Sequence, residues 1–195
     1  MAVYAFRSTL GWLIIPMLVT SAGIMTLVLR SDPGFDRRVL WNVPAARLGG
    51  KHMFLRFVVG APVLTFGVYL LRPELWLNFP RSEPLLWGVL MVIYPLWSVY
   101  PQEVIFRAFP MHRYQTLFAN ERHFFAANAL GFAAAHLLFA NVIALVLSLF
   151  GGWLFIRTYA SSRSTLLVAI EHALWGDLIF TIGLGWYFFG GSVAG

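Results

Sequence analysis

Apolar residues fall in six long runs along this chain, and polar residues gather in the gaps between them. The runs are residues 9–29, 52–71, 85–100, 123–139, 141–160 and 165–189. About 20 apolar residues in helical form cross a hydrocarbon core of about 30 Å. Only helices or closed barrels satisfy their backbone there. The pattern therefore predicts an all-α, polytopic membrane bundle of about six transmembrane helices plus an interfacial helix. Residues 9–29 read as a retained first helix, too long for a cleaved leader.

Details within the runs set further expectations. Pro95 predicts a kink in the third span. A helix should then continue from Tyr100 to about Phe118, bend at Pro110, and lie at the interface through His112, Arg113, Tyr114 and Gln115. Asn120 reads as a helix cap. Ala127, Gly131 and Ala135 recur every four residues and predict close approach of a neighbouring helix. Gly151-Gly152 should break the fifth span. Arg56 is expected to carry its charge out to the headgroups.

Composition agrees with the pattern. The chain is 59% hydrophobic and 11% charged, against about 25% charged in a soluble domain. At 195 residues it reads as a single integral-membrane domain, residues 1–195. A bacterial inner (cytoplasmic) membrane is the expected location. The net charge of +6 would suggest nucleic acid in a soluble protein. Here the basic residues sit mostly in short gaps between spans, where they orient a membrane protein. The lipid bilayer is the expected partner, and nucleic acid is not. The absence of cysteine excludes disulfides, thiolate metal sites and cysteine nucleophiles.

Against this background a set of polar and ionisable residues in or next to the runs stands out, because such groups are costly in a bilayer and commonly functional. They are Gln102, Glu103, Arg107, His136, Glu171, His172 and Asp177, counting the amide with its neighbours. Glu103 and Arg107 stack on one helix face. A carboxylate and two imidazoles in a bundle core can activate water and stabilise an oxyanion. Other hydrolytic schemes fit less well. There is no HExxH and no GxSxG. His123, His136 and His172 lack the usual ligand spacing, so no metal or other cofactor is expected, with zinc the minor alternative. The same groups also suit a structural ion pair with satisfied core histidines, or a small proton-coupled carrier.

Three stretches resemble the motifs of the CAAX prenyl protease and bacteriocin-processing family, also called Abi, a group of glutamate-type intramembrane proteases. Gln102-Glu103-Val104-Ile105-Phe106-Arg107 is similar to Glu-Glu-x-x-x-Arg. Phe132 and His136 match Phe-x-x-x-His, and His172 through Gly176 approaches His-x-x-x-Asn. The resemblance spans roughly residues 85–189. It implies a membrane-anchored protein or peptide as substrate, with Glu103 and His136 activating water and His172 supporting the oxyanion. Arg107 would hold Glu103, and Gln102 and Asp177 would supply polar contacts. Two positions depart from the motifs. Gln102 stands where the family has its first glutamate, and Gly176 where it has asparagine. A second expectation follows from them: a catalytically inactive relative serving as membrane scaffold or substrate-binding protein.

Overall fold

Polar side chains mark where the helices begin. Asn42, Asn120, Asn141 and Ser164 each accept a hydrogen bond from a backbone N–H of the turn that follows. These bonds satisfy donors that no helical carbonyl can reach. The computed structural model describes residues 7–189, with side chains from 13 to 188. The ends of the 1–195 domain expected from the sequence, residues 1–6 and 190–195, lie outside the described residues. The helices are α1 (Arg7–Ser31), α2 (Val43–Leu71), the short α3 (Asn78–Ser82), α4 (Pro84–Leu117), α5 (Glu121–Ala135), α6 (Val142–Ser162), α7 (Thr165–Ile182) and α8 (Trp186–Phe189). Among the described residues there is no strand, so the all-α bundle expected from the apolar runs is what the chain forms.

Helix α4 carries the site, and its prolines shape it. Two π-helical stretches, Pro95–Val99 and Val104–Ala108, lie just ahead of Pro101 and Pro110. Proline has no N–H and cannot close an ordinary turn behind it. The wider turn absorbs this: the Tyr100 N–H reaches back to the Pro95 carbonyl, and the Phe109 N–H to that of Val104. Through both wider turns the helix runs on without a break for 34 residues. At 1.5 Å per residue this is about 50 Å, longer than a bilayer core, so its C-terminal end emerges from it. That end is tied down outside the apolar spans, where Asp32 meets His112 at 2.9 Å and Arg113 at 3.5 Å.

Among the described residues five helices are long and apolar enough to cross a membrane: Leu13–Ser31, Val43–Leu71, Pro84–Leu117, Val142–Ser162 and Thr165–Ile182. The expected span at 123–139 is different. Its helix, α5, has 15 residues, about 22 Å, and gives way to a tighter 3-10 turn at His136–Phe139. The stripe of Ala127, Gly131 and Ala135 faces outward instead of carrying a contact. The close approach lies on the opposite side. A methyl group on Gly152 would sit 3.0 Å from the Ala129 Cα and 3.2 Å from its carbonyl oxygen. Gly152 therefore does not break α6, which is unbroken through both glycines; it lets α6 pack on α5.

Candidate active site

The middle of α4 is enclosed on all sides. Pro101, Gln102, Glu103 and Val104 are consecutive and all buried, which a helix turn can manage only with neighbours all round it. Helices α1 and α7 are among those neighbours. Glu103 and Arg107 are both fully buried, with the Arg107 Nε 3.3 Å from the Glu103 Oε2. Burying a charge pair is costly unless geometry and further contacts repay it. Two aromatic faces contribute here. The guanidinium carbon lies 4.4 Å from the Phe132 ring centroid and 5.6 Å from that of Phe155.

The other carboxylate oxygen completes a chain of polar groups. The His172 Nδ1–H donates to the Glu103 Oε1 at 2.7 Å. The His172 ring stacks on Phe155, centroids 4.6 Å apart and planes 24° apart. With Nδ1 carrying the proton, Nε2 is an acceptor, and the Tyr94 hydroxyl donates to it at 3.2 Å. Glu103, Arg107 and His172 are thus brought together from α4 and α7, with aromatic walls from α5 and α6.

The remaining sequence-predicted residues take other places. His136 closes α5, and its Nδ1–H donates to the Phe132 carbonyl at 2.8 Å. A carbonyl can only accept, so Nδ1 holds the proton and Nε2 keeps its lone pair. Phe132 lies beside both imidazoles, its centroid 4.6 Å from that of His136 and 5.6 Å from that of His172. Gln102 is buried but turns along its own helix, donating to the Ser98 hydroxyl at 2.9 Å. Asp177 is half-buried on α7, and its Oδ1 meets no hydrogen-bond partner among the described residues. Glu171 points away from His172, as adjacent helical residues must. It is fully buried and lies 3.1 Å from Arg56. Arg56 therefore does not run to the headgroups as expected; it reaches inward to Glu171 and donates to the Thr158 hydroxyl at 2.8 Å. A buried carboxylate on α7 is the stronger attraction.

Sequence reasoning missed Tyr94, Thr158 and Asn128. Asn128 donates from mid-α5 to the Phe106 carbonyl on α4. The available signal was the same for all three: a polar atom inside an apolar run needs a partner on another helix. Among the described residues, no three of His, Asp or Glu converge as metal ligands.

Comparison with known proteins gives one family. Residues 81–176 match the model described as Rce1-like, type II CAAX prenyl endopeptidase Rce1-like. No curated protein and no solved structure matches the chain. The matched stretch begins just before α4 and ends at Gly176, so it holds Glu103, Arg107, His136 and His172. Family match, motif order and membrane-bundle fold agree: residues 81–176 support membership of the CAAX prenyl protease and bacteriocin-processing family, and with it an intramembrane CAAX-type protease in general.

Proposed function

We propose that this chain is an intramembrane endopeptidase that hydrolyses a peptide bond in a membrane-anchored protein or peptide. The observation that carries this reading is a pair of differently prepared imidazoles flanking Phe132. On His136 the backbone holds the proton at Nδ1, which leaves Nε2 as a base for the attacking water. On His172 the Glu103 carboxylate holds the ring and stabilises it when it becomes positively charged. Arg107 lies against that carboxylate and holds it toward the ring. In this scheme water oxygen bonds to the scissile carbonyl carbon while His136 takes its proton. His172, with Nε2 protonated from the bulk before attack, faces the developing oxyanion through that N–H and returns the proton to the bulk after release. The C–N bond then breaks, and the proton returns to the leaving amine. Glu103 works by positioning His172 rather than by touching water, since it is fully enclosed and turned to that ring. No cofactor enters the scheme, and chelator should leave turnover unchanged.

One observation favours a second reading, a relative that binds membrane proteins without cutting them. Gln102 occupies the position of the family's first glutamate, and its amide is committed to Ser98. A cleavage assay on the reconstituted chain with a membrane-anchored peptide separates the two. The protease reading expects turnover that His136→Ala lowers at least 100-fold, in keeping with general-base contributions of about 10²–10⁴. Substrate binding without turnover, unchanged by His136→Ala, would establish the second reading.

A further inference from the structure

The family motif places a side chain four residues after His172, and this chain has glycine there. The space is nevertheless filled. A Cβ on Gly176 would lie 2.5 Å from the Tyr94 hydroxyl oxygen, 2.5 Å from its Cε1 and 2.8 Å from its Cζ. Contacts that short are essentially never seen, so a side chain at 176 would require the end of Tyr94 to move from where it lies. Tyr94 comes from α4, about two turns before the Gln102-Glu103 pair, and crosses to α7. Its ring meets Phe180 edge-on at 5.3 Å and His172 edge-on at 6.2 Å. Its hydroxyl ends 3.2 Å from His172 Nε2. The phenol therefore occupies the missing residue's place and also bonds the ring that the motif puts one turn away.

We infer that Tyr94 is the positioning residue for His172 in this chain, taking over from α4 the place left open at Gly176 on α7. The inference rests on the protease reading for its catalytic consequence. The Tyr94–His172 partnership itself does not depend on it. Glu103 fixes one nitrogen of His172 and Tyr94 the other, so the ring cannot flip or turn about its Cβ–Cγ bond. When His172 is charged its Nε2 becomes a donor, and the phenol oxygen then accepts from it and points its own proton elsewhere.

Two substitutions isolate the hydroxyl from the ring. Tyr94→Phe keeps the packing against Phe180 and removes only the O–H. Gly176→Ala keeps the O–H and displaces the ring. The full chain is labelled with ¹⁵N-histidine in lipid nanodiscs, and the His172 signal is identified by its loss in His172→Gln. Both variants should shift the His172 Nε2 resonance and leave that of His136 in place. In the cleavage assay both should lower kcat about 10- to 100-fold, as loss of a residue that orients a functional imidazole does, with KM within about twofold. The double variant Tyr94→Ala/Gly176→Asn should recover turnover relative to Tyr94→Ala alone. A His172 resonance unmoved by Tyr94→Phe overturns the inference. So does a moved resonance with kcat unchanged to within about threefold. If the wild-type chain cleaves nothing, the protease reading fails, and the resonance alone decides whether Tyr94 holds His172.

Discussion

Two carboxylate–arginine pairs lie inside this bundle, and they are built differently. Glu103 and Arg107 sit one turn apart on α4, both with no exposed side-chain surface. Glu171 on α7 is equally enclosed, but its partner Arg56 on α2 is 41% exposed. Arg107 is sandwiched by two phenyl rings, whereas Arg56 divides itself between Glu171 and the Thr158 hydroxyl on α6. Each carboxylate therefore faces a different task. Glu171 straps three helices together through a cation that still meets its surroundings. Glu103 accepts a hydrogen bond from an imidazole, which in turn accepts one from a phenol. The same two residue types thus give a cross-helix strap in one place and the start of a hydrogen-bonded chain in the other, and the difference is what lies beyond the second carboxylate oxygen.

The sharpest way to break this comparison is to neutralise each acid in turn. Glu103→Gln leaves Arg107 charged, dry and unpaired, and breaking a buried pair in that way costs about 3–5 kcal/mol. We expect that loss in reversible unfolding in mild detergent, and turnover should vanish even in the fraction that remains folded. Arg56→Met leaves the Glu171 carboxyl free to protonate and opens Arg56's place to lipid. The expected loss is about 1–2 kcal/mol, a partner's loss reduced because half of the pair was exposed. Turnover per folded molecule should stay within about threefold of wild type. Equal losses of stability and activity from the two substitutions would mean that both pairs are straps. Thr158→Val should cost less again, about 0.5–1.5 kcal/mol for one hydrogen bond, and a double-mutant cycle with Arg56→Met should show coupling between them.

How far the comparison was readable beforehand depends on the range of the signal. The helices follow from runs of apolar residues and from caps such as Asn120, all local features. Glu103 and Arg107 follow from i,i+4 spacing, also local. Arg56 was misread because the residue that captures it, Glu171, is more than a hundred positions away, and nothing near Arg56 in the chain announces it. The small-residue stripe was misread for a related reason. Ala127, Gly131 and Ala135 define a face, but periodicity does not say whether that face meets protein or lipid. The span count fell from six to five because a short helix followed by a 3-10 turn has the same composition as a long helix. Two prolines of α4, Pro101 and Pro110, each fall just after a widened turn, and the first of those turns lies ahead of Glu103, the residue that meets His172 on α7.

A third acid, Asp32, extends the comparison out of the membrane span and gives the smallest effect. It follows α1, is 29% exposed, and bonds His112 at 2.9 Å with Arg113 at 3.5 Å. Its carboxyl is held below the ordinary carboxylate value, chiefly by the His112 hydrogen bond, then by the Gly34 N–H, with the charges of His112 and Arg113 adding to them. A group whose pKa is lower in the folded chain binds protons more readily when unfolded. Its contribution is therefore complete above the unfolded carboxylate value and disappears as pH falls through the lower, folded one. Wild type and Asp32→Asn should differ in unfolding midpoint at about pH 6 and converge between about pH 4 and 2. His112→Phe keeps the edge contact that this ring makes with Phe35. It should nonetheless remove most of the difference, since it deletes the largest cause. High salt should shrink what remains, because this pair, unlike Glu103 and Arg107, is reached by mobile ions. Midpoints that stay a fixed distance apart down to pH 2 would show that Asp32 contributes through the Gly34 turn and not through its charge.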